Sequence, residues 1–314
     1  MLNMVRLCRL TILSTGERVL LLFIVSLVWA FSFGLIKGNL SGVDSTFVAF
    51  ARLFIALLVF LPFMRFKKLD IKTALKLGMT GLVQFGLMYI FYLEAFNTLQ
   101  AYEVALFTIF TPVFVTLIDD AFNRRVNILH LVVAFITIAG TWIIKGEAFQ
   151  SREILAGFLL VQASNLCYAF GQIYYRRVMA RHPDLKDHQV FGVLYLGGFL
   201  VTAGATLATV PLSTLTLTTQ QGLTLFYLGA IASGLSFFLW NSGARRVNAG
   251  TLAVFNDLKI PLAVGVSLLF FGEQTDLIRL LIGGSTIVAA LALNEYLSRR
   301  QRQNQVLQTE IPLD

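Results

Sequence analysis

Charge is what this sequence has least of. Asp, Glu, Lys and Arg make up 13% of its 314 residues, against roughly 25% in soluble domains. A water-soluble fold needs a polar surface that this chain cannot supply. Histidine is also scarce, and none of the three, His130, His182 and His188, pairs with a nucleophile at a recognisable spacing. The two cysteines, Cys8 and Cys167, support neither a disulfide framework nor a metal cluster. A phosphate-cradling Gly-rich loop ending in Gly-Lys-Ser/Thr is missing, which excludes direct use of ATP. No cleavable signal peptide is expected either, because Leu35-Ile36-Lys37-Gly38, not a small-residue cleavage pattern, follows the first apolar run.

What the chain has instead is length of hydrophobic run. The hydrophobic fraction is 57%. It is gathered into ten stretches near 18–36, 46–64, 77–96, 101–118, 126–144, 154–175, 190–210, 221–243, 250–271 and 277–297. About twenty helical residues cross a hydrocarbon core about 30 Å thick. Runs such as Leu20–Val28 and Ile282–Leu293 lack the two-residue alternation of barrel strands. The expected fold is therefore an all-α polytopic membrane protein with ten transmembrane helices.

The net charge of +8 is a topology signal and not a nucleic-acid footprint. With the N-terminus inside, the inner segments hold Arg6, Arg9, Arg18, Arg65, Lys67, Lys68, Lys72, Lys76, Arg124, Arg125, Arg176, Arg177, Arg181, Lys186, Arg245, Arg246, Arg299, Arg300 and Arg302, nineteen of the 25 basic residues. The outer segments hold Lys37, Lys145, Arg152 and Arg279. The positive-inside rule then places both termini in the cytoplasm of a cell (inner) membrane.

The chain divides in two. Residues 1–17 are a cytoplasmic N-terminal segment, 18–145 a first five-helix repeat, 146–153 an extracytoplasmic linker, 154–297 a second repeat and 298–314 a polar, disordered tail. Trp29-Ala30-Phe31 with Lys37 is echoed by Tyr168-Ala169-Phe170 with Arg176, and Val104-Ala105-Leu106-Phe107 by Leu252-Ala253-Val254-Phe255. Pro112 and Pro261 follow the second pair of motifs. Five helices per half forces opposite orientations, so similar halves are inverted repeats. Interrupted helices at matched positions point to a midplane site in such proteins. Proline has no N–H, so Pro112 deprives the carbonyl of Thr108 of its helical donor, and Pro261 that of Asp257.

Ionisable residues inside spans are costly and default to functional candidates. Lys259 sits near mid-membrane, and Asn256 shares its helical face. An ammonium there suits a substrate carboxylate or phosphate; the structural reading is an internal ion pair or a carbonyl contact. Asp257 faces nearly the opposite side, either pairing with Arg52 or serving as a protonatable carboxyl. Glu103, at an outer helix start, is a second coupling candidate, against a solvated-end reading. Gln84, Tyr89 and Tyr92, then Asn165 with Gln162 and Tyr168, then Phe238, Trp240 and Asn241, and finally Trp29 with Ser26 form a polar and aromatic set. Any one of these alone reads better as packing, but together they could line a cavity for a zwitterion with an apolar or aromatic side chain. Gly78, Gly81, Gly192, Gly197, Gly198, Gly283 and Gly284 permit close helix contacts.

These pieces resemble the drug/metabolite transporter superfamily, and its EamA-like family in particular. The resemblance is carried by Trp29-Ala30-Phe31-Ser32-Phe33, Ala51-Arg52-Leu53, Tyr92-Leu93-Glu94-Ala95, Ala105-Leu106-Phe107 with Pro112, and Ala253 with Pro261 and Phe271-Gly272-Glu273, over residues 18–298. The sequence departs from symmetry where Asp119-Asp120 stands against Gly272-Glu273, and where the second motif-to-proline spacing is one residue longer. The resemblance implies a secondary transporter, not an enzyme, with no cofactor. It would export a small metabolite, an amino acid or related organic anion, by alternating access as a monomer or homodimer, with the proton as one available coupling ion. Similar proteins that carry anionic metabolites place a basic residue on the ninth helix, the one that holds Lys259. An arginine matching Arg52 is common in the family whatever the substrate, which favours a structural role for it. A broad drug or amine exporter would sooner expose a carboxylate. An intramembrane enzyme lacks a nucleophile constellation, since Ser267 is too far along the helix from Lys259. A receptor or scaffold would not need mirrored, proline-broken helices.

Overall fold

A computed structural model describes residues 15–65, 69–124, 151–211, 215–244 and 249–286, with isolated helical or turn positions at 132, 135, 136, 139, 213, 288, 289, 292, 293 and 296. Side chains are described from residue 20 onward and not at 244–258. The run 126–144 lies almost wholly outside the described residues, as do most of the linker and the tail 298–314.

Nine helices are named here: α1 (Thr15–Asn39), α2 (Ser45–Phe60), α3 (Ile71–Asn97), α4 (Ala101–Phe122), α5 (Arg152–Ala180), α6 (Asp187–Thr209), α7 (Thr219–Gly243), α8 (Ala249–Phe270) and α9 (Leu277–Thr286). Among the described residues, α1 to α7 each contain a stretch long and apolar enough to cross a membrane, and no strand occurs. The chain is thus an all-helical, multi-pass membrane protein. Large apolar side chains stand exposed on the helix faces, among them Leu58, Leu159, Leu200, Leu207 and Leu269. In water these would be a liability; in lipid they meet acyl chains.

Local chemistry sets the helix ends. Asp44 caps α2, its Oδ1 accepting the N–H groups of Thr46 (2.8 Å) and Phe47 (3.0 Å), just after Gly42 makes the turn at a φ of +84°. Asp70 caps α3 by accepting the Thr73 N–H, and its hydrogen bonds to Thr73 hold its carboxyl below the usual carboxylate range. The start of α4 takes its cap from far away: Glu273 accepts the N–H groups of Ala101 (2.7 Å) and Tyr102 (2.9 Å). Glu273 can reach because Gly272, at a φ of +65°, turns the chain out of α8. A carboxylate at a helix N-terminus satisfies two orphan donors and meets the positive end of the dipole.

Packing is closest where side chains vanish. A Cβ on Gly81 would strike the carbonyl of Leu194, and one on Gly197 that of Gly78, so α3 and α6 touch backbone to backbone. α8 packs along α1, where the Phe271 ring fills the hollow over Gly34 and Gly38. Gly284, by contrast, has open space around it.

Three helices are wound irregularly, and each irregularity faces the protein interior. α3 widens into a π-type segment at Leu82–Leu87 and α7 into another at Leu228–Leu235. α4 tightens into a 3₁₀ turn at Thr108–Phe110, just before Pro112. α8 carries Pro261 within its length. The two breaks anticipated from Pro112 and Pro261 therefore differ: the first changes the helix type and the second is absorbed.

Candidate functional site

Next to these irregular segments lies an interior cavity lined from seven helices. α1 supplies Trp29, Ser32 and Phe33; α2 Arg52; α3 Met88, Tyr89 and Tyr92; α4 Thr108 and Thr111; α5 Ser164, Asn165 and Tyr168; α7 Phe237; and α8 Lys259. Of α1 to α8, only α6 contributes nothing.

Lys259 is 7% exposed. Its Nζ lies 5.6 Å from the Trp29 ring centroid and 5.9 Å from that of Tyr168, within reach of cation–π attraction. Trp29 is itself fixed: its Nε1 donates to the carbonyl of Ala232 (2.9 Å), and its ring packs 5.0 Å from both Phe237 and Trp240. The Tyr168 hydroxyl and the Trp240 indole N–H are buried side by side without a well-formed hydrogen bond.

Arg52 is 3% exposed. Its Nε donates to Ser233 Oγ (3.1 Å) and its Nη2 to the Tyr89 hydroxyl (2.9 Å), while its Cζ lies 4.4 Å from the Tyr89 ring centroid. Nη1 is buried with no acceptor among the described residues. Ser233 belongs to the π-type segment of α7, where the i→i−4 ladder is interrupted. Side chains serve the carbonyls there: Trp29 donates to Ala232, and the Tyr195 hydroxyl reaches those of Ser233 (2.7 Å) and Gly234 (2.8 Å). A buried carbonyl left unpaired in lipid would cost several kcal/mol, roughly.

α4 shows the same accounting. Pro112 removes the helical donor for the Thr108 carbonyl, and Thr111 replaces it with its backbone N–H and its hydroxyl (2.7 Å). The Phe107 carbonyl accepts from Asn165 Nδ2 (2.9 Å), while Asn165 Oδ1 accepts from Thr111 (3.1 Å). Asn165 thus lines the cavity with its amide already engaged by the broken helix.

Of the residues expected at a site, Trp29, Arg52, Tyr89, Tyr92, Asn165, Tyr168 and Lys259 meet in this cavity. Gln84, Trp240 and Asn241 form a layer behind it. Gln84 donates to Asn241 Oδ1 (3.2 Å), and Gly171 leaves room for the Gln84 stem. Glu103 lies outside the lining and is buried at its helix start, accepting from the Gln100 N–H (2.8 Å). Side chains of Asn256 and Asp257 lie outside the described residues. The lining also includes Ser32, Phe33, Met88, Thr108, Ser164 and Phe237, which the sequence reading passed over. Thr108 and Thr111 carry a local signal, hydroxyls one turn apart beside a proline. Phe237, and not its neighbour Phe238, faces the site, because the π-type segment shifts the helical phase ahead of it.

A buried cavity ringed by irregular membrane helices, holding two cations, defines a membrane carrier of small molecules. Comparison with known proteins makes this specific. The sequence model of the EamA-like transporter family matches residues 18–146 and again 155–295. The chain belongs to the EamA-like transporter family, of the drug/metabolite transporter superfamily; it is a two-repeat transporter and not an enzyme. It is 40% identical over 282 residues, 89% of this chain and 98% of the other, to a protein of Pseudomonas aeruginosa named "Probable biotin transporter". It is 37% identical over 273 residues, 86% of this chain and 91% of the other, to one of Salmonella typhimurium named "Biotin transporter". A "Probable amino-acid metabolite efflux pump" of Salmonella typhimurium is 24% identical over 91% of this chain and 97% of its own. A solved crystal structure covers 91% of this chain and is itself wholly covered, with a TM-score of 0.66 at 19% identity, a likeness of fold.

Proposed function

We propose that this chain carries biotin across the cell inner membrane. Biotin has a carboxylate on an apolar chain and a neutral bicyclic head with a ureido group. The cavity offers matching parts: a cation, apolar and aromatic walls, and hydroxyls of Ser32, Thr108 and Ser164. The observation that carries the reading is Lys259, a buried cation on the cavity wall within cation–π reach of Trp29 and Tyr168. The relatives at 40% and 37% identity support biotin over the amino acids expected from family resemblance. Export of an amino-acid metabolite remains the second reading, favoured by the relative at 24%. In either case two inverted halves, 18–145 and 154–297, alternate access around the midplane, with Asp257 the carboxyl available for proton coupling. Glu103 serves better as a cap.

Counterflow of labelled biotin in proteoliposomes tests this. Wild type should show saturable exchange, and Lys259→Gln should weaken biotin about 10- to 100-fold, the range of a hydrogen bond to a charged group. The neutral carboxamide of biotin should bind wild type and Lys259→Gln alike. Exchange of amino acids with no response to biotin would transfer the assignment to the second reading.

A further inference from the structure

Lys259 accounts for one end of an elongated carboxylic acid and leaves the other unassigned. The second cation of the cavity, Arg52, is held to the Tyr89 side, and Phe237 packs against Trp29, Tyr89 and Tyr168 between the two. Arg52 is fixed by two of its three nitrogens, with Nε on Ser233 and Nη2 on Tyr89. A carboxylate is gripped best by two parallel N–H groups from adjacent nitrogens. With Nε and Nη2 each committing an N–H to Ser233 and Tyr89, the side-on fork is spent. What is left is Nη1, buried without an acceptor among the described residues. A buried charged donor left unmade is costly, and with Lys259 placed for the carboxylate, the acceptor left for this end of the cavity is the carbonyl oxygen of the head.

We infer that Arg52 Nη1 is the donor for the ureido oxygen of biotin, so that the two cations read the ligand's two ends: Lys259 the carboxylate, Arg52 the carbonyl of the head. This rests on the biotin reading. It gives Arg52 a role in selectivity, in addition to the bracing of Tyr89 and Ser233 that a purely structural arginine would perform.

The test is a comparison of two ligands on four proteins. 2-Iminobiotin replaces the ureido oxygen with a protonated NH group, turning an acceptor into a cationic donor while keeping the carboxylate. Wild type should prefer biotin to 2-iminobiotin by tenfold or more. Arg52→Gln and Arg52→Lys should each shrink that preference by about tenfold; the lysine variant keeps a buried positive charge able to reach Tyr89 or Ser233, so it preserves the fold while removing Nη1. Lys259→Gln should weaken both ligands and preserve their ratio. If the Arg52 variants weaken both ligands equally, Arg52 only positions its neighbours: the inference fails and biotin transport stands. The same holds if wild type does not distinguish the ligands. Wild type that binds neither ligand overturns the biotin reading and the inference together.

Discussion

Asn165 shows how a polar residue in a membrane helix can be bound twice, once to the fold and once to the site. Its Nδ2 serves the Phe107 carbonyl and its Oδ1 takes the Thr111 hydroxyl. Asn165→Asp keeps the shape and removes both N–H donors, setting a carboxyl oxygen against a carbonyl oxygen. It should lower the thermal midpoint in detergent, by a loss of about 1–3 kcal/mol, where Ser164→Ala on the same wall should change it little. Half of this arrangement was legible. Pro112 announces the orphaned Thr108 carbonyl, and Thr111 is near enough in sequence to be suspected of satisfying it. Asn165 is 54 residues away from Thr111, and no local pattern ties a buried amide to one particular carbonyl. The cations were legible for the same reason that they are rare: a lysine or arginine in an apolar run stands out without any coordinates. Which Arg52 nitrogens are engaged was not, because Tyr89 and Ser233 lie on other helices.

Among the helices, the glycines separate into working and idle ones. Gly78 and Gly81 both lie on α3 and read alike in sequence, yet only Gly81 would drive a Cβ into backbone, at Leu194; a Cβ on Gly78 meets nothing within 4 Å. Gly81→Ala should therefore destabilise by about 1–3 kcal/mol or more, as overpacking does, while Gly78→Ala should be neutral or slightly stabilising through helix propensity. Thermal unfolding of the two variants side by side decides it. Gly34→Ala should likewise be damaging beside Phe271, and Phe271→Leu should recover part of the loss, a coupling that a double-mutant cycle reads directly. The π-type segments of α3 and α7 were invisible in the sequence. Gly86, Gly229 and Gly234 lower helix propensity there, but glycine alone does not foretell a π-type turn. The extra residue is held by partners on other helices, among them Trp29, Arg52 and Tyr195.

For the molecule as a whole, the distribution of charge makes a prediction that the cavity does not. If both termini are cytoplasmic, the turn after α1 and the loop before α7 face outward, and the loop after α5 faces inward. In a chain with Cys8 and Cys167 replaced, single substitutions Ser41→Cys and Thr216→Cys should react with a membrane-impermeant maleimide on intact cells. Asp184→Cys should react only after permeabilisation. All three positions are exposed, so accessibility reports sidedness alone. The opposite pattern would reverse the topology and overturn the positive-inside assignment.

Glu273 also gives the molecule a clock. The helix that begins at Ala101 leaves the ribosome early, but the carboxylate that caps it stands 172 residues later. At about 5–20 residues per second, Ala101 and Tyr102 are made about 10–30 s before Glu273 exists to accept from them. During that interval the first repeat is already inserted and still unfinished, and what completes it is the last fifth of the polypeptide still to be made.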